Sequence, residues 1–146
     1  MNKNYSRSQG NWQGKGGKDQ SKVLMSFEKL DITQGQSLRE WNNEGDLLLK
    51  LTEINATLNK TTYSRAITDG IIEEYDIHDS SKFSTNNMPK SSKWKYPLTL
   101  TDKNVKWCKI RLGSTRRVIG YLEKDVFYIV FLDKDHQFYP TEPNNT

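Results

Sequence analysis

The chain has 146 residues, enough for one domain with a modest core, and only 34% of them are hydrophobic. Its single cysteine, Cys108, excludes an internal disulfide and a cysteine-based zinc site, and the surrounding strand pattern predicts a buried, inert thiol. No apolar run approaches the roughly 20 residues of a membrane span, and no signal-peptide core is present at the N-terminus. We therefore expect a cytoplasmic protein without a membrane contact.

The net charge of +4 is distributed unevenly along the chain. Residues 93–124 hold nine basic and two acidic side chains, and residues 1–22 hold five basic and one acidic. Such clustering favours a polyanionic partner, because phosphate contacts supply most non-specific affinity for nucleic acid. A solvated basic face without a ligand is the alternative interpretation.

Residues 1–22 are rich in Gly, Ser, Gln, Asn and Lys and show no apolar periodicity. They cannot bury enough surface to offset chain entropy, so we predict a disordered basic tail. Its aromatic and basic residues suit a flexible RNA-binding arm, and a passive leader is the alternative. The folded domain is then predicted over residues 23–140, with a flexible C-terminus at 141–146.

Helical signals follow a predicted strand at Val23–Leu30. Ser37 and Glu40 have the spacing of a capping box, which predicts a helix start. An apolar helical face comes next, formed by Leu47, Leu51, Ile54 and Leu58. Gly45 divides this region into a short and a longer helix, and further helical turns are predicted from Tyr63. These segments together predict a helical hairpin.

A long loop is predicted at residues 76–93, where Ser, Asn, Asp and Pro dominate. A short edge segment is predicted at residues 94–98, and Pro97 argues against a central strand there. His78 in the loop is expected to be an exposed residue without a metal.

Three strands are predicted in the C-terminal part, at residues 107–112, 117–122 and 126–132. The first alternates, with Cys108, Ile110 and Leu112 inward and with Lys109 and Arg111 outward. The last, VFYIVFL, is continuously apolar, as expected of a central strand covered on both faces. Short turns between them predict an antiparallel meander. The predicted fold class is α+β: an N-terminal strand, a helical hairpin and a C-terminal antiparallel meander.

This meander carries the side chains that cleavage of RNA requires in the absence of a metal or cofactor. The reaction needs a base for the ribose 2′-OH, stabilisation of the charged phosphorane and an acid for the leaving 5′-oxygen. His136 and Tyr139 are candidates for proton transfer and Arg117 for charge stabilisation. Candidate substrate-binding residues are Lys109, Arg111 and Arg116.

Over residues 105–140 the sequence resembles the RelE/ParE toxin superfamily. The resemblance lies in Lys109-Ile-Arg111-Leu112, the following glycine turn, Arg117-Val118, the apolar strand, and His136 close before Tyr139. It implies a RelE-like mRNA interferase, an endoribonuclease that cuts mRNA on the ribosome and is restrained by an antitoxin protein. The matching basic residues would hold the phosphate, and the C-terminal His or Tyr would take part in acid–base chemistry.

Other interpretations of these residues and of the function stay open. Arg117 has Asp133 or Asp135 as alternative cross-strand partners, and His136 is equally an edge histidine whose hydrogen bonds are satisfied within the fold. Lys109 and Arg111 alone are equally a solvated strand face. At the level of function, a non-catalytic RNA- or protein-binding module and a ParE-like topoisomerase inhibitor are the alternatives. The sequence leaves the oligomeric state undetermined.

Overall fold

The computed structural model describes residues 22–101 and 105–140. Within these ranges the protein is a mixed α+β structure with three helices and a five-stranded sheet. In chain order the elements are β1 (Leu24–Ser26), α1 (Leu38–Asn42), α2 (Leu47–Leu58), α3 (Tyr63–Thr68), β2 (Glu73–Glu74), β3 (Cys108–Arg111), β4 (Arg117–Glu123) and β5 (Val126–Asp133). None of the helices in this part of the chain is long and apolar enough to cross a membrane.

The two predicted flexible ends fall almost entirely outside the described ranges. Of the predicted tail at residues 1–22, only Lys22 lies within them, and it forms an antiparallel bridge with Thr62. The predicted flexible C-terminus at residues 141–146 also lies outside the described ranges.

The sheet has the strand order β1-β5-β4-β3-β2. The three C-terminal strands form the predicted antiparallel meander, and β1 lies parallel to β5 at one edge. A parallel neighbour needs a long crossover, which the helices provide. β1 is shorter than the predicted strand, because the chain turns where the N–H of Leu30 donates to the carbonyl of Phe27 at 3.1 Å.

The opposite edge of the sheet differs from the prediction. It is formed by β2, a two-residue strand that the sequence did not indicate and that pairs antiparallel with β3. The predicted edge segment at residues 94–98 is not a strand. Its backbone bonds elsewhere: the N–H of Lys95 donates to Oε1 of Gln34 at 2.7 Å, and the chain turns at Pro97.

The helical region begins as predicted and contains one more helix than a hairpin. Oγ of Ser37 accepts from the N–H of Glu40 at 3.1 Å, and Oε1 of Glu40 accepts from the N–H of Ser37 at 2.8 Å. Gly45, with a φ of 73°, separates α1 from α2. After the break, the side chain of Thr62 caps a third short helix by accepting from the N–H of Arg65.

Two apolar cores lie on opposite faces of the sheet. The helices cover the face here called the helix face, whose buried residues include Trp41, Leu47, Leu51, Leu58, Ile110 and Phe127. Residues 75–101 and Val105 cover the other, here called the loop face, whose buried residues include Phe83, Met88, Trp107, Phe131 and Phe138. The predicted loop at 76–93 has neither helix nor strand, yet it packs closely. Because β5 contributes to both cores, the prediction of a strand covered on both faces is confirmed.

Gly120 in β4 allows the close approach of β5 at an irregularity in the strand register. A Cβ at this position would lie 1.9 Å from the carbonyl oxygen of Tyr128, a backbone atom that cannot turn aside. Gly120→Ala is therefore expected to lower the free energy of unfolding by about 3 kcal/mol in chemical denaturation. Gly70→Ala is the comparison: its φ is 77° and its surroundings are empty, so about 1 kcal/mol is expected. Equal losses in the two variants would contradict this assignment.

Candidate functional site

Three basic side chains gather on the loop face at the β3–β4 hairpin: Lys109, Arg111 and Arg117. Cys108 and Ile110 belong to the core on the helix face, so strand alternation places Lys109 and Arg111 on the opposite side. Arg117 shares their face because it is the register partner of Arg111. We call these three side chains the basic cluster.

Arg117 is the most enclosed member of the basic cluster, with 6% of its surface exposed. Its Nε–H donates to the carbonyl oxygen of Thr115 at 3.2 Å, which fixes the guanidinium against its own turn. This bond uses Nε and neither of the two terminal amino groups. Across the sheet its register partner is Asp133, whose carboxylate its positive charge stabilises.

Asp133 is fully buried, and it shapes the turn that follows β5. Its two carboxylate oxygens accept from the backbone N–H groups of Gln137 at 2.7 Å and Phe138 at 2.8 Å. Burial raises the pKa of the Asp133 carboxyl, and these two bonds and Arg117 oppose that change. The cross-strand neighbour proposed for Arg117 is therefore present, but the hydrogen bonds of Asp133 go to the turn.

His136 lies in that turn with a φ of 62°, in the left-handed region that side chains other than glycine rarely adopt. The Asp133 carboxylate bonds to the backbone directly after it, so the turn is held in this conformation. Partial burial lowers the pKa of His136, and the positive charges of Arg117, Lys109 and Arg111 lower it further, whereas Asp133 raises it. The imidazole is consequently neutral at pH 7, the form that accepts a proton.

Glu73 of the edge strand β2 lies against the other end of the basic cluster. A single oxygen, Oε1, lies 3.6 Å from Nζ of Lys109 and 3.2 Å from Nε of Arg111. The pKa of Lys109 is nevertheless lowered, first by burial and then by the charges of Arg111 and Arg117. The repulsion within the cluster is thus only partly offset by Glu73.

Tyr75 is a buried residue of the site that the sequence did not indicate. The ammonium of Lys109 lies 5.1 Å from the centre of its ring, within the range of a cation–π contact. Its hydroxyl is buried close to Arg117, although no hydrogen bond of good geometry joins them. Burial raises the pKa of Tyr75 well above its ordinary value, although the charge of Arg117 acts in the opposite direction. The group therefore stays a neutral phenol beside the basic cluster.

Tyr139 joins the site through aromatic contacts. Its ring meets the edge of Tyr75 at a centroid distance of 5.5 Å and lies 5.3 Å from the ring of Phe83. The rings of Tyr75, Phe83 and Tyr139 therefore contact one another and form a cluster, here called the aromatic wall.

Other residues singled out in the sequence lie elsewhere. Nη1 of Arg116 lies 3.2 Å from Oδ1 of Asp46, at the start of α2, so this side chain is directed to the helical side. Cys108 is buried in the core on the helix face, where burial raises its pKa to about 12, as expected of an inert thiol. His78 is exposed, as predicted.

Sequence reasoning missed Glu73 and Tyr75, which both lie on the loop face beside β3. The one available signal was the alternation of an acidic and an aromatic residue in Glu73-Glu-Tyr75, which complements the basic alternation of Lys109 and Arg111. This alternation alone does not identify Glu73 and Tyr75 as site residues, because no local pattern indicates that their segment pairs with the distant strand of Lys109 and Arg111.

No family model matches the chain, and neither a curated protein nor a solved structure shows significant similarity to it. The geometry of the site itself therefore indicates what it can do. It combines three cations, a neutral imidazole and a phenol at one end of the loop face. Such a set can bind a phosphate, stabilise added negative charge on it and move a proton.

The carboxylate of Asp133 is predicted to be essential for the turn that carries His136. In Asp133→Asn the side-chain oxygen can still accept one backbone hydrogen bond, but the NH₂ group faces a second donor. We expect the free energy of unfolding to fall by about 2 kcal/mol, measured by urea denaturation at pH 7. Asp135→Asn is the matched control, since Asp135 is exposed and pairs with Lys134 at the surface. A loss as large in the control would contradict the role of Asp133.

The lowered pKa of His136 can be measured directly, since the chain has two histidines and the other, His78, is exposed. In an NMR titration the His136 imidazole is expected to take up its proton at a lower pH than an ordinary histidine. Removing one neighbouring positive charge with Lys109→Gln should raise its midpoint. A His136 midpoint that does not respond would show that the basic cluster exerts no field on the imidazole.

Proposed function

We propose that the protein is an endoribonuclease that cleaves single-stranded RNA by attack of the ribose 2′-OH on the adjacent phosphate. One observation carries the proposal: Lys109, Arg111 and Arg117 share one sheet face, and the turn held by Asp133 places His136 where their charges lower its pKa. Cations bind a phosphodiester, and a neutral imidazole accepts a proton.

His136 is the proposed base. Its imidazole takes the proton of the 2′-OH while the 2′-oxygen forms a bond to phosphorus. Because its pKa is lowered, chiefly by burial, the proton-accepting form is already present at neutral pH. Activity is then expected to rise with pH through a midpoint below 6.5, the ordinary value of a histidine.

Arg117 and Arg111 are the proposed stabilisers of the phosphorane. Attack places an additional negative charge on the non-bridging oxygens, and positive groups fixed in advance favour this state over the substrate. Arg117 is suited to this role because burial and its bond to Thr115 restrict its motion. Arg111, with 57% of its side chain exposed, is the more accessible member and meets the substrate first.

Lys109 is the proposed acid for the leaving group. The bond from phosphorus to the 5′-oxygen breaks, and that oxygen takes a proton from the ammonium. A lowered pKa makes Lys109 a better donor than an ordinary lysine, and burial is the main cause of that change. The products are a 2′,3′-cyclic phosphate and a 5′-hydroxyl. In this scheme Tyr139, a candidate for proton transfer, supports Tyr75 and closes the site instead.

The resemblance to RelE-like toxins extends the proposal to fold and partners. The order of a strand before the helices and a meander after them is compatible with a RelE-like domain. On that basis the substrate is mRNA on the ribosome, the compartment is the cytoplasm and an antitoxin protein is the restraining partner.

The test is expression of the wild-type chain beside variants, with growth, translation and mapped mRNA ends as readouts. The wild type should arrest growth and leave cuts that end in a cyclic phosphate. His136→Ala is expected to slow cleavage about 100-fold or more, and Arg117→Ala combined with His136→Ala should relieve the arrest. Arg116→Ala is the matched control, because Arg116 pairs with Asp46 away from the basic cluster and should leave cleavage unchanged.

Two results would contradict the proposal. Equal toxicity of the double variant would show that the basic cluster and His136 are not the site. Binding of RNA by the purified wild type without any cut, alone or with translating ribosomes, would favour the non-catalytic RNA-binding module.

A further inference from the structure

The edge strand β2 places two carboxylates along the most basic strand of the sheet. Glu73 is the register partner of Lys109, and its Oε1 lies between Nζ of Lys109 at 3.6 Å and Nε of Arg111 at 3.2 Å. The next residue, Glu74, brings its Oε1 to 3.3 Å from Nζ of Lys106. Three consecutive cations of the β3 segment thus already have a carboxylate partner within the protein.

The contacts of Glu73 with Arg111 and of Glu74 with Lys106 lie at the surface, within reach of another anion, whereas the Lys109 side chain is only 17% exposed. The side chain of Glu73 is 34% exposed, and those of Arg111 and Lys106 are 57% and 55% exposed. Ion pairs at such positions contribute little to stability, because water screens them and the side chains lose conformational freedom. A competing anion can therefore replace the carboxylate without disrupting the fold.

A carboxylate and a phosphodiester present the same chemistry to an ammonium or a guanidinium, namely one negative charge shared by two oxygens. Replacing Glu73 by a single phosphodiester therefore exchanges one negative charge for another and gains little. A strand with several neighbouring phosphates gains more, because it engages several cations at once and releases its own counterions. A polyanion therefore displaces the carboxylates of β2 from these cations, whereas a small anion does not.

We propose that Glu73 is a specificity-determining residue: it occupies the phosphate position between Lys109 and Arg111, so that the site takes a continuous RNA strand and rejects short oligonucleotides. The proposal rests on the proposed role of the basic cluster in RNA binding. It does not depend on cleavage, since binding alone decides it.

The experiment is fluorescence anisotropy with single-stranded RNA that is 2′-O-methylated throughout and therefore lacks the attacking hydroxyl. Glu73→Gln keeps the shape of the side chain and removes its charge. It is expected to tighten binding of a dinucleotide about three- to tenfold and that of a long strand by less. The ratio of the two affinities, here called the discrimination, should therefore fall. For the long strand, the slope of the logarithm of the binding constant against the logarithm of the salt concentration should become steeper by about 0.7 for each additional phosphate contact.

The chain offers a matched control in Asp46, which lies between Nη1 of Arg116 at 3.2 Å and Nζ of Lys50 at 3.8 Å. Asp46→Asn changes the net charge by the same amount at a carboxylate that also bridges an arginine and a lysine, on the helical side. It should leave the discrimination unchanged. An equal change in both variants would show an effect of net charge alone and overturn the proposal.

Other outcomes separate this proposal from the proposed function. Loss of discrimination in Glu73→Gln, with no cleavage of unmodified RNA by the wild type, supports the role of Glu73 and refutes the nuclease. Unchanged discrimination with normal cleavage refutes the role of Glu73 alone. If Glu73→Gln abolishes cleavage while its RNA binding is unchanged, Glu73 takes part in the chemistry and the proposal is also refuted.

Discussion

The buried carboxylate of Asp133 is the interaction on which the site depends. A charge with no exposed surface is tolerated only when its oxygens are hydrogen-bonded, and here two backbone N–H groups of the following turn donate to them. The same bonds hold His136 in a left-handed conformation, and Arg117 lies opposite on β4. One side chain thus joins the end of β5, the turn and the most buried cation of the site.

The charges of the site determine its chemistry jointly. Lys109, Arg111 and Arg117 share one face, and their mutual repulsion adds to burial in lowering the pKa of Lys109. The same charges contribute to keeping His136 neutral. The carboxylates of Glu73 and Asp133 lie at the two ends and limit this repulsion. A base that is neutral beside several cations is what attack on a phosphodiester requires, and it arises here from burial together with the nearby positive charges.

The second core explains how a chain with many polar residues maintains two covered sheet faces. Residues 75–101 form no helix or long strand, yet they bury Phe83 and Met88 in one core with Trp107, Phe131 and Phe138. These residues extend as far as Tyr75, whose ring contacts Phe138, and they leave Arg111 exposed at the β3–β4 hairpin. The site therefore lies at the edge of the part of the loop face that these residues cover.

Local sequence patterns were sufficient to predict the helix start at Ser37, the three meander strands and the common side of Lys109 and Arg111. Each depends on residues that are close along the chain, where capping, alternation and a short turn fix the geometry. The pairing of Glu73 with Arg111, 38 residues later in the chain, and the position of Tyr75 under Lys109 arise only when the chain folds. Such contacts arise when distant segments pack together, and no local pattern encodes which segments meet.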